Sequence, residues 1–509
     1  MPSHGPRRPG PPASVPEAAP GSAFSEAAPG SAVGGAGSGR TGAMPEAAVD
    51  AAIDIAAGRR PGEAVERAFN EHYPPLSVHE ATVEADRCYF CHDAPCVTAC
   101  PTGIDIPLFI RQIASGNREG AGRTIFEANI LGGTCARVCP TEVLCQGACV
   151  RMEAEEKPVL IGLLQRHATD PWFEGHGVGT TGRLPHPFER GTASGRRVAV
   201  VGAGPAGLAC AHALARGGVE VTLIDANDRP GGLNEYGIAA YKETNGFAHA
   251  EVGFVLDIGG IALRTGTRLG RDVSLKALRE EYDAVFLGLG LPGTNSLGMD
   301  GESAPNVIDA VEYIAALRQA SDPGALPVGR RVVVIGGGMT AVDIACQTRL
   351  LGAEDVTIAY RRGEERMNAS AYERDHARRL GVSIRTHLAP RVLHRAKGQD
   401  EVAAVEFDVV EEREGRLSAT GDSRIIECDQ LFLAIGQTLA PMFEDGPLAG
   451  IGLATERGRV EVDAEGRTSD PAIWAGGDCA ATGDDLTVVA VEDGKRAARS
   501  ILRSFAGAS

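Results

Sequence analysis

No stretch of this 509-residue chain approaches the roughly 18 consecutive apolar residues that a spanning helix requires, so a helical membrane span is not expected. Positive charge is also scarce. Fifty Lys and Arg stand against 67 Asp and Glu, a net charge of −17 that argues against nucleic acid or an anionic membrane surface as partner. The opening MPSHGPRRPG is followed by no apolar h-region, so a secretory signal is not expected. Cysteine, at 12 in 509, is far below the density of a secreted disulfide scaffold, and a reducing cytoplasmic compartment is the expected location. The length provides for about three domains.

The few cysteines are concentrated. Eight of the 12 fall within 62 residues, as Cys88-x2-Cys91-x4-Cys96-x3-Cys100-Pro101 and Cys135-x3-Cys139-Pro140-x4-Cys145-x3-Cys149. Two runs of closely spaced thiols, each with a Cys-Pro, point to iron–sulfur ligation, in which the last cysteine of a run often serves the other cluster. Zinc is the alternative, but a ribbon wants paired C-x2-C units and only Cys88/Cys91 has that spacing. On spacing alone the eight could supply two four-cysteine cages. Cys210, Cys346, Cys428 and Cys479 stand singly and are expected to be small buried hydrophobes.

Composition divides the chain. Residues 1–47 are Pro, Gly, Ala and Ser with EAAPGSA repeated, a tail expected to be disordered. Residues 48–170 read as a helical domain holding the cysteines, with Val65, Ala68 and Phe69 on one apolar face. Residues 171–196, rich in Gly, Pro and His, read as a linker. Strand Val198–Val201 then runs into Gly202-Ala203-Gly204-Pro205-Ala206-Gly207 and a helix, and strand Val219–Ile224 ends at Asp225. The plan recurs with strand Val332–Ile335, Gly336-Gly337-Gly338-Met339-Thr340-Ala341, a helix and strand Val356–Tyr360. Two such units predict two nucleotide-binding domains. The second is inserted in the first, giving parts at 197–304, 305–430 and 431–509.

In the first unit Gly202 permits the tight turn, Gly204 lets the backbone approach a pyrophosphate at the helix start, and Gly207 lets helix and strand pack. Asp225 is placed to accept from ribose hydroxyls. Arg229-Pro230-Gly231-Gly232 and Ala475-Gly476-Gly477-Asp478 resemble two-dinucleotide flavoproteins, which places Asp478 on the ribityl chain of a flavin. In the second unit Ala341 replaces the third glycine, and the second strand ends in Arg361-Arg362 rather than an acid. Guanidinium forks suit a 2′-phosphate, so NADPH is favoured over NADH. The alternative is a solvated basic turn paired with its neighbouring glutamates.

RCYFCHDAPCVTACPTGIDIPLFIRQI, GGTCARVCPTEVLCQGACV and IGLLQRHATD, with VAVVGAGPAGL, RPGGLNEYGI, VVVIGGG and WAGGD, carry a resemblance over about residues 80–505. The chain resembles the N-terminal half of dihydropyrimidine dehydrogenase, and more closely the separate bacterial subunit that carries those domains. The resemblance implies an α-helical bis-[4Fe–4S] domain followed by an α/β flavoprotein of two Rossmann-like domains. It implies FAD, two [4Fe–4S] clusters and NADPH or NADH as cofactors. One cluster would take Cys88, Cys91, Cys96 and Cys149; the other would take Cys100, Cys139, Cys145 and Gln165, leaving Cys135 out. Electrons would pass to a hetero-oligomeric partner containing FMN and iron–sulfur centres, where uracil or thymine is reduced. No protein acid or base is needed for hydride transfer, so no catalytic side chain is expected. Two other readings share the architecture. One is a glutamate synthase small subunit serving an amidotransferase, a type that resembles this chain but carries Glu at the position of Gln165. The other is a binding subunit with structural clusters. Ala239-Ala240-Tyr241-Lys242 stands where many members have Pro and Arg, in a loop expected near the flavin.

Overall fold

The computed structural model describes residues 62–173, 184–413, 415–443, 446–449 and 451–507. The expected tail at 1–47 and the middle of the expected linker lie outside these residues. Among them no helix is long and apolar enough to cross a membrane.

Residues 62–172 are helical, from Gly62–Ala68 through Ile161–Thr169 to a short 3-10 turn at Asp170–Trp172. Asp105 caps helix Ile106–Ala114 by accepting from Leu108 N at 3.0 Å, and its Ile106, Phe109, Ile110 and Ile113 are buried. That spacing gives one apolar stripe, packed with Ile125, Ile161 and Leu164 into the core beside the cysteines.

The first α/β unit is a five-stranded parallel sheet in the order Ile473–Ala475, Ala284–Leu287, Arg197–Val201, Glu220–Ile224, Ile261–Arg264. Its central strands are apolar without alternation because both faces are covered. The C-terminal helix Thr487–Ala506 packs on helix Pro205–Arg216. The second unit is also five-stranded and parallel: Val307–Asp309, Gln430–Ala434, Arg331–Gly336, Asp355–Ala359, Ser383–Arg385. A three-stranded antiparallel sheet, Leu388–Arg395, Val402–Arg413 and Arg416–Glu427, extends from it. A short ribbon pairs Gly293–Thr294 with Gln437–Thr438 where the chain crosses between the two units.

Three expected boundaries move. Strand Gln430–Ala434 was expected to begin the returning flavin segment, but it lies inside the second sheet, between Val307–Asp309 and Arg331–Gly336, so the return follows residue 434. Helix Gly62–Ala68 was grouped with the cysteines, yet Val65, Ala68 and Phe69 bury their face in the core of the second unit. The expected linker is anchored at both ends: Trp172, Phe173 and Phe188 join the first unit's core, with Phe173 edge-on to Phe247 at 4.8 Å. Aromatic bulk at those positions outweighs the Gly and Pro around it.

Candidate functional site

Cys88, Cys91, Cys96 and Cys149 line one cavity walled by Pro95, Ile106, Ile110, Val159 and Ile161. Cys149 comes from the second run, so the two runs interlock in space. Cys100, Cys139 and Cys145 lie within electrostatic reach of one another. Cys135, expected to stand apart, is only 3% exposed and its thiol hydrogen-bonds Cys139. Gln165, on helix Ile161–Thr169, is 7% exposed and its Nε2 donates to Gly132 O at 2.7 Å, on the helix that carries Cys135. Both fourth-ligand candidates therefore sit against the same element.

Burial, with Cys149 and Cys88 adding to it, pushes the Cys96 thiol up to about 12. Burial likewise pushes Cys145 up to about 12. Such clusters of neutral thiols favour deprotonation only around a cationic centre. Among the described residues no three His, Cys, Asp or Glu side chains converge closely enough to hold a single metal ion. Cys88, Cys91, Cys96 and Cys149 surround a space, which suits a multi-iron cluster.

The flavin cradle forms at the start of helix Pro205–Arg216. Gly202 has φ +101°, and a Cβ there would lie 2.0 Å from Gly288 O; one on Gly207 would lie 1.8 Å from Gly202 O. These two positions are closed to any side chain. Gly204 is different, since its Cβ would meet only the Cα of Gly232 at 3.7 Å. Gly231 N donates to Ala203 O at 2.9 Å, and a Cβ on Gly477 would lie 3.0 Å from that of Ala206, so the RPGG and AGGD segments close on the same turn. Asp225 accepts from Ala203 N at 2.7 Å and Asn227 N at 2.8 Å, which fixes the turn while leaving each oxygen a second lone pair. Asp478 sits beside Asp485 and Arg459; burial is the main cause that pushes its carboxyl up to about 6.

The second cradle repeats this design. Gly336, with φ +154°, is pressed against Ala434 O, Ala341 is fully buried, and a Cβ at Gly338 would enter open space. That open approach at a helix N-terminus fits a pyrophosphate. Arg361 is exposed and Arg362 half-exposed. Glu364 pairs with Arg374 at 3.1 Å and Arg378 at 2.5 Å, and Arg366 pairs with Glu412 at 3.4 Å. Among the described residues Arg361 and Arg362 therefore hold no ion pair, and the neighbouring glutamates do not neutralise them.

The loop at 239–243 packs on the second unit. Tyr241 donates to Asp343 Oδ1 at 3.1 Å, and buried Lys242 pairs with Asp343 at 2.7 Å and Glu373 at 2.6 Å. His72 N donates to Tyr241 O at 2.9 Å, which ties the cysteine-bearing region to the same loop. Glu243 and Glu251 are buried nearby, and burial pushes Glu251 up to about 8. Sequence reasoning missed these carboxylates. Their only signal is charge inside otherwise apolar segments, such as Glu251 in FAHAEVGFVL.

Residues 196–494 match the family model for pyridine nucleotide-disulphide oxidoreductase, and residues 65–176 match that for dihydropyrimidine dehydrogenase domain II, 4Fe-4S cluster. The glutamate synthase [NADPH] small chain of Escherichia coli K12 is 33% identical over 461 residues, 85% of this chain and 93% of that one. The NAD-dependent dihydropyrimidine dehydrogenase subunit PreT of the same organism is 34% identical over 441 residues, 86% of this chain and 98% of that one. Mycobacterium tuberculosis FprA, solved in complex with NADPH, superposes with a TM-score of 0.51 at 17% identity over 62% of this chain and 85% of FprA, a likeness of fold alone.

Proposed function

The chain belongs to the pyridine nucleotide-disulphide oxidoreductases of glutamate synthase small-chain type, and from that premise we propose that it is the electron-input subunit of a dihydropyrimidine dehydrogenase. It is an FAD-dependent NAD(P)H oxidoreductase with 4Fe–4S clusters. The finer reading is carried by Gln165, buried and bonded to Gly132 O on the helix that ends at Cys139, where the resemblance implies Gln for dihydropyrimidine dehydrogenase and Glu for the glutamate synthase type. The glutamate synthase reading has its own support in a relative whose identity and coverage are within a few per cent.

When bound, FAD takes hydride from the nicotinamide and the clusters carry single electrons onward. The chain's residues supply placement. Gly202 makes the tight turn, Gly204 lets the main chain approach the FAD pyrophosphate and Gly207 lets the helix pack on its strand, with Gly231, Gly232 and Gly477 closing the turn; Asp225 and Asp478 accept from its hydroxyls. Gly336, Gly338 and Ala341 do the same for NAD(P)H. Cys88, Cys91, Cys96 and Cys149 hold one cluster, and Cys100, Cys139, Cys145 and Gln165 the other. The proposed domain limits are 70–170 for the clusters, 197–304 with 435–507 for FAD, and 305–434 for NAD(P)H. The partner is a hetero-oligomeric subunit with FMN and iron–sulfur centres. Anaerobic NADPH or NADH should bleach the flavin and then reduce the clusters; a flavin that neither nicotinamide bleaches would overturn the reading.

Two further results are expected. Replacing Arg361 and Arg362 with Ser removes charge-assisted hydrogen bonds worth about 1.5–3 kcal/mol, or about ten- to a hundredfold in kcat/KM for NADPH. The value for NADH should not change, and a wild-type preference for NADH would refute the argument. Asp478 accepts better when ionised, and its carboxyl titrates at about 6. FAD affinity, read by fluorescence quenching, should therefore weaken as pH falls through that value, and Asp478→Asn should flatten the dependence.

A further inference from the structure

Helix Gly132–Val138, which carries Cys135 and ends at Cys139, begins in the interior with no side-chain cap from its own N-terminus. The first N–H groups of a helix have no intrahelical acceptor and, when buried, need one from elsewhere. Here two are met from the flavin domain. Gly133 N and Thr134 N both donate to Oε1 of Glu251, at 2.9 and 3.0 Å. Glu251 is 1% exposed and lies on helix Phe247–Leu256. Beside it Thr134 Oγ1 donates to Glu243 Oε1 at 2.6 Å, and Arg318 of the second unit lies 3.6 Å from Glu243 Oε2. Arg137, from the same short helix, stacks over the Phe247 ring at 3.5 Å. The approach is tight, for a Cβ on Gly133 would come within 2.5 Å of Phe247.

We propose that Glu251 is a positioning residue that fixes the second iron–sulfur centre relative to the flavin domain, with Glu243 as a second anchor. The inference rests on the cofactor placement proposed above. With both groups bound, the step it would serve is the transfer of single electrons from reduced flavin to the cluster. Groups that orient a ligand-bearing element are worth about ten- to a hundredfold in activity or metal affinity. From its own domain Gln165 holds the helix through Gly132 O, and on the flavin side the two glutamates hold it together with the Arg137–Phe247 contact.

The test compares Glu251→Ala and Glu251→Gln in the full-length holoprotein. A single amide oxygen can accept both N–H bonds, as Oε1 does, whereas Ala leaves two buried donors unmet. Glu251→Ala is expected to shift the EPR signature or midpoint potential of the second cluster and to slow its reduction by the flavin about tenfold or more. Bleaching of the flavin by NADPH should stay unchanged, and Glu251→Gln should restore the cluster signals. Unchanged EPR, potential and rate in Glu251→Ala, or an equal defect in Glu251→Gln, would overturn the proposal. Should Glu251→Ala fail to load iron, Thr134→Val, which removes the hydroxyl that bonds Glu243 and lies against Glu251, must move the same signals in the same direction; no movement overturns it. A wild-type flavin that no nicotinamide bleaches would instead be a failure of the functional reading.

Discussion

A Gly204→Ala protein is expected to fold with nearly the wild-type Tm, to purify with little bound flavin, and to fall to background in NAD(P)H:acceptor activity. The added Cβ meets nothing closer than the Gly232 Cα at 3.7 Å, an ordinary contact, and the backbone there is extended. Its cost to the fold is that of a poorer helix cap, about 1 kcal/mol or less. The side on which it projects is where the second glycine of the motif lets the pyrophosphate approach the main chain. Gly207→Ala separates the two effects. Its Cβ would stand 1.8 Å from Gly202 O, and Gly202 cannot retreat because Gly288 O closes its other side. That helix must move off its strand, at about 1–3 kcal/mol or more of stability. Flavin-to-protein ratio and thermal denaturation distinguish the two variants. A Gly204→Ala protein with full flavin would refute the placement of FAD.

The second large effect concerns iron. Cys145→Ser is expected to remove about half of the bound iron and to loosen the helical domain, because a ligand cage contributes to folding. Gln165→Ala should retain the other cluster but alter the spectrum and potential of the second. Cys135→Ser, although Cys135 touches Cys139, should leave iron content and spectra unchanged. Iron analysis and EPR on the three proteins decide the matter. Loss of the cluster in Cys135→Ser with none in Gln165→Ala would exchange the two assignments.

Much of this architecture was legible in the chain because local chemistry dictates it. The strand–glycine–helix units at 197–224 and 331–359 could be read from apolar runs without alternation and from glycines whose Cβ would strike backbone. The thiol grouping could be read only in part, since spacing describes neighbours along the chain and Cys149 reaches the first set through space. Partnership between distant surfaces was not legible. The apolar face of Val65, Ala68 and Phe69 had the period of a helix but no mark of the unit it would cover. Strand Gln430–Ala434 looks the same in either sheet, and only pairing with Arg331–Gly336 assigns it. Nothing in the sequence marks Glu243 or Glu251 as buried, or Lys242 as a partner of Asp343, because the elements that cover them lie far away in sequence.

The most direct test of the central claim is an anaerobic affinity isolation of the chain from its native host, with the eluate assayed for uracil-dependent NAD(P)H oxidation and the co-purifying subunit identified. The account expects an FMN-containing partner and turnover that depends on uracil or thymine. An amidotransferase partner, with turnover only on glutamine and 2-oxoglutarate, would contradict it.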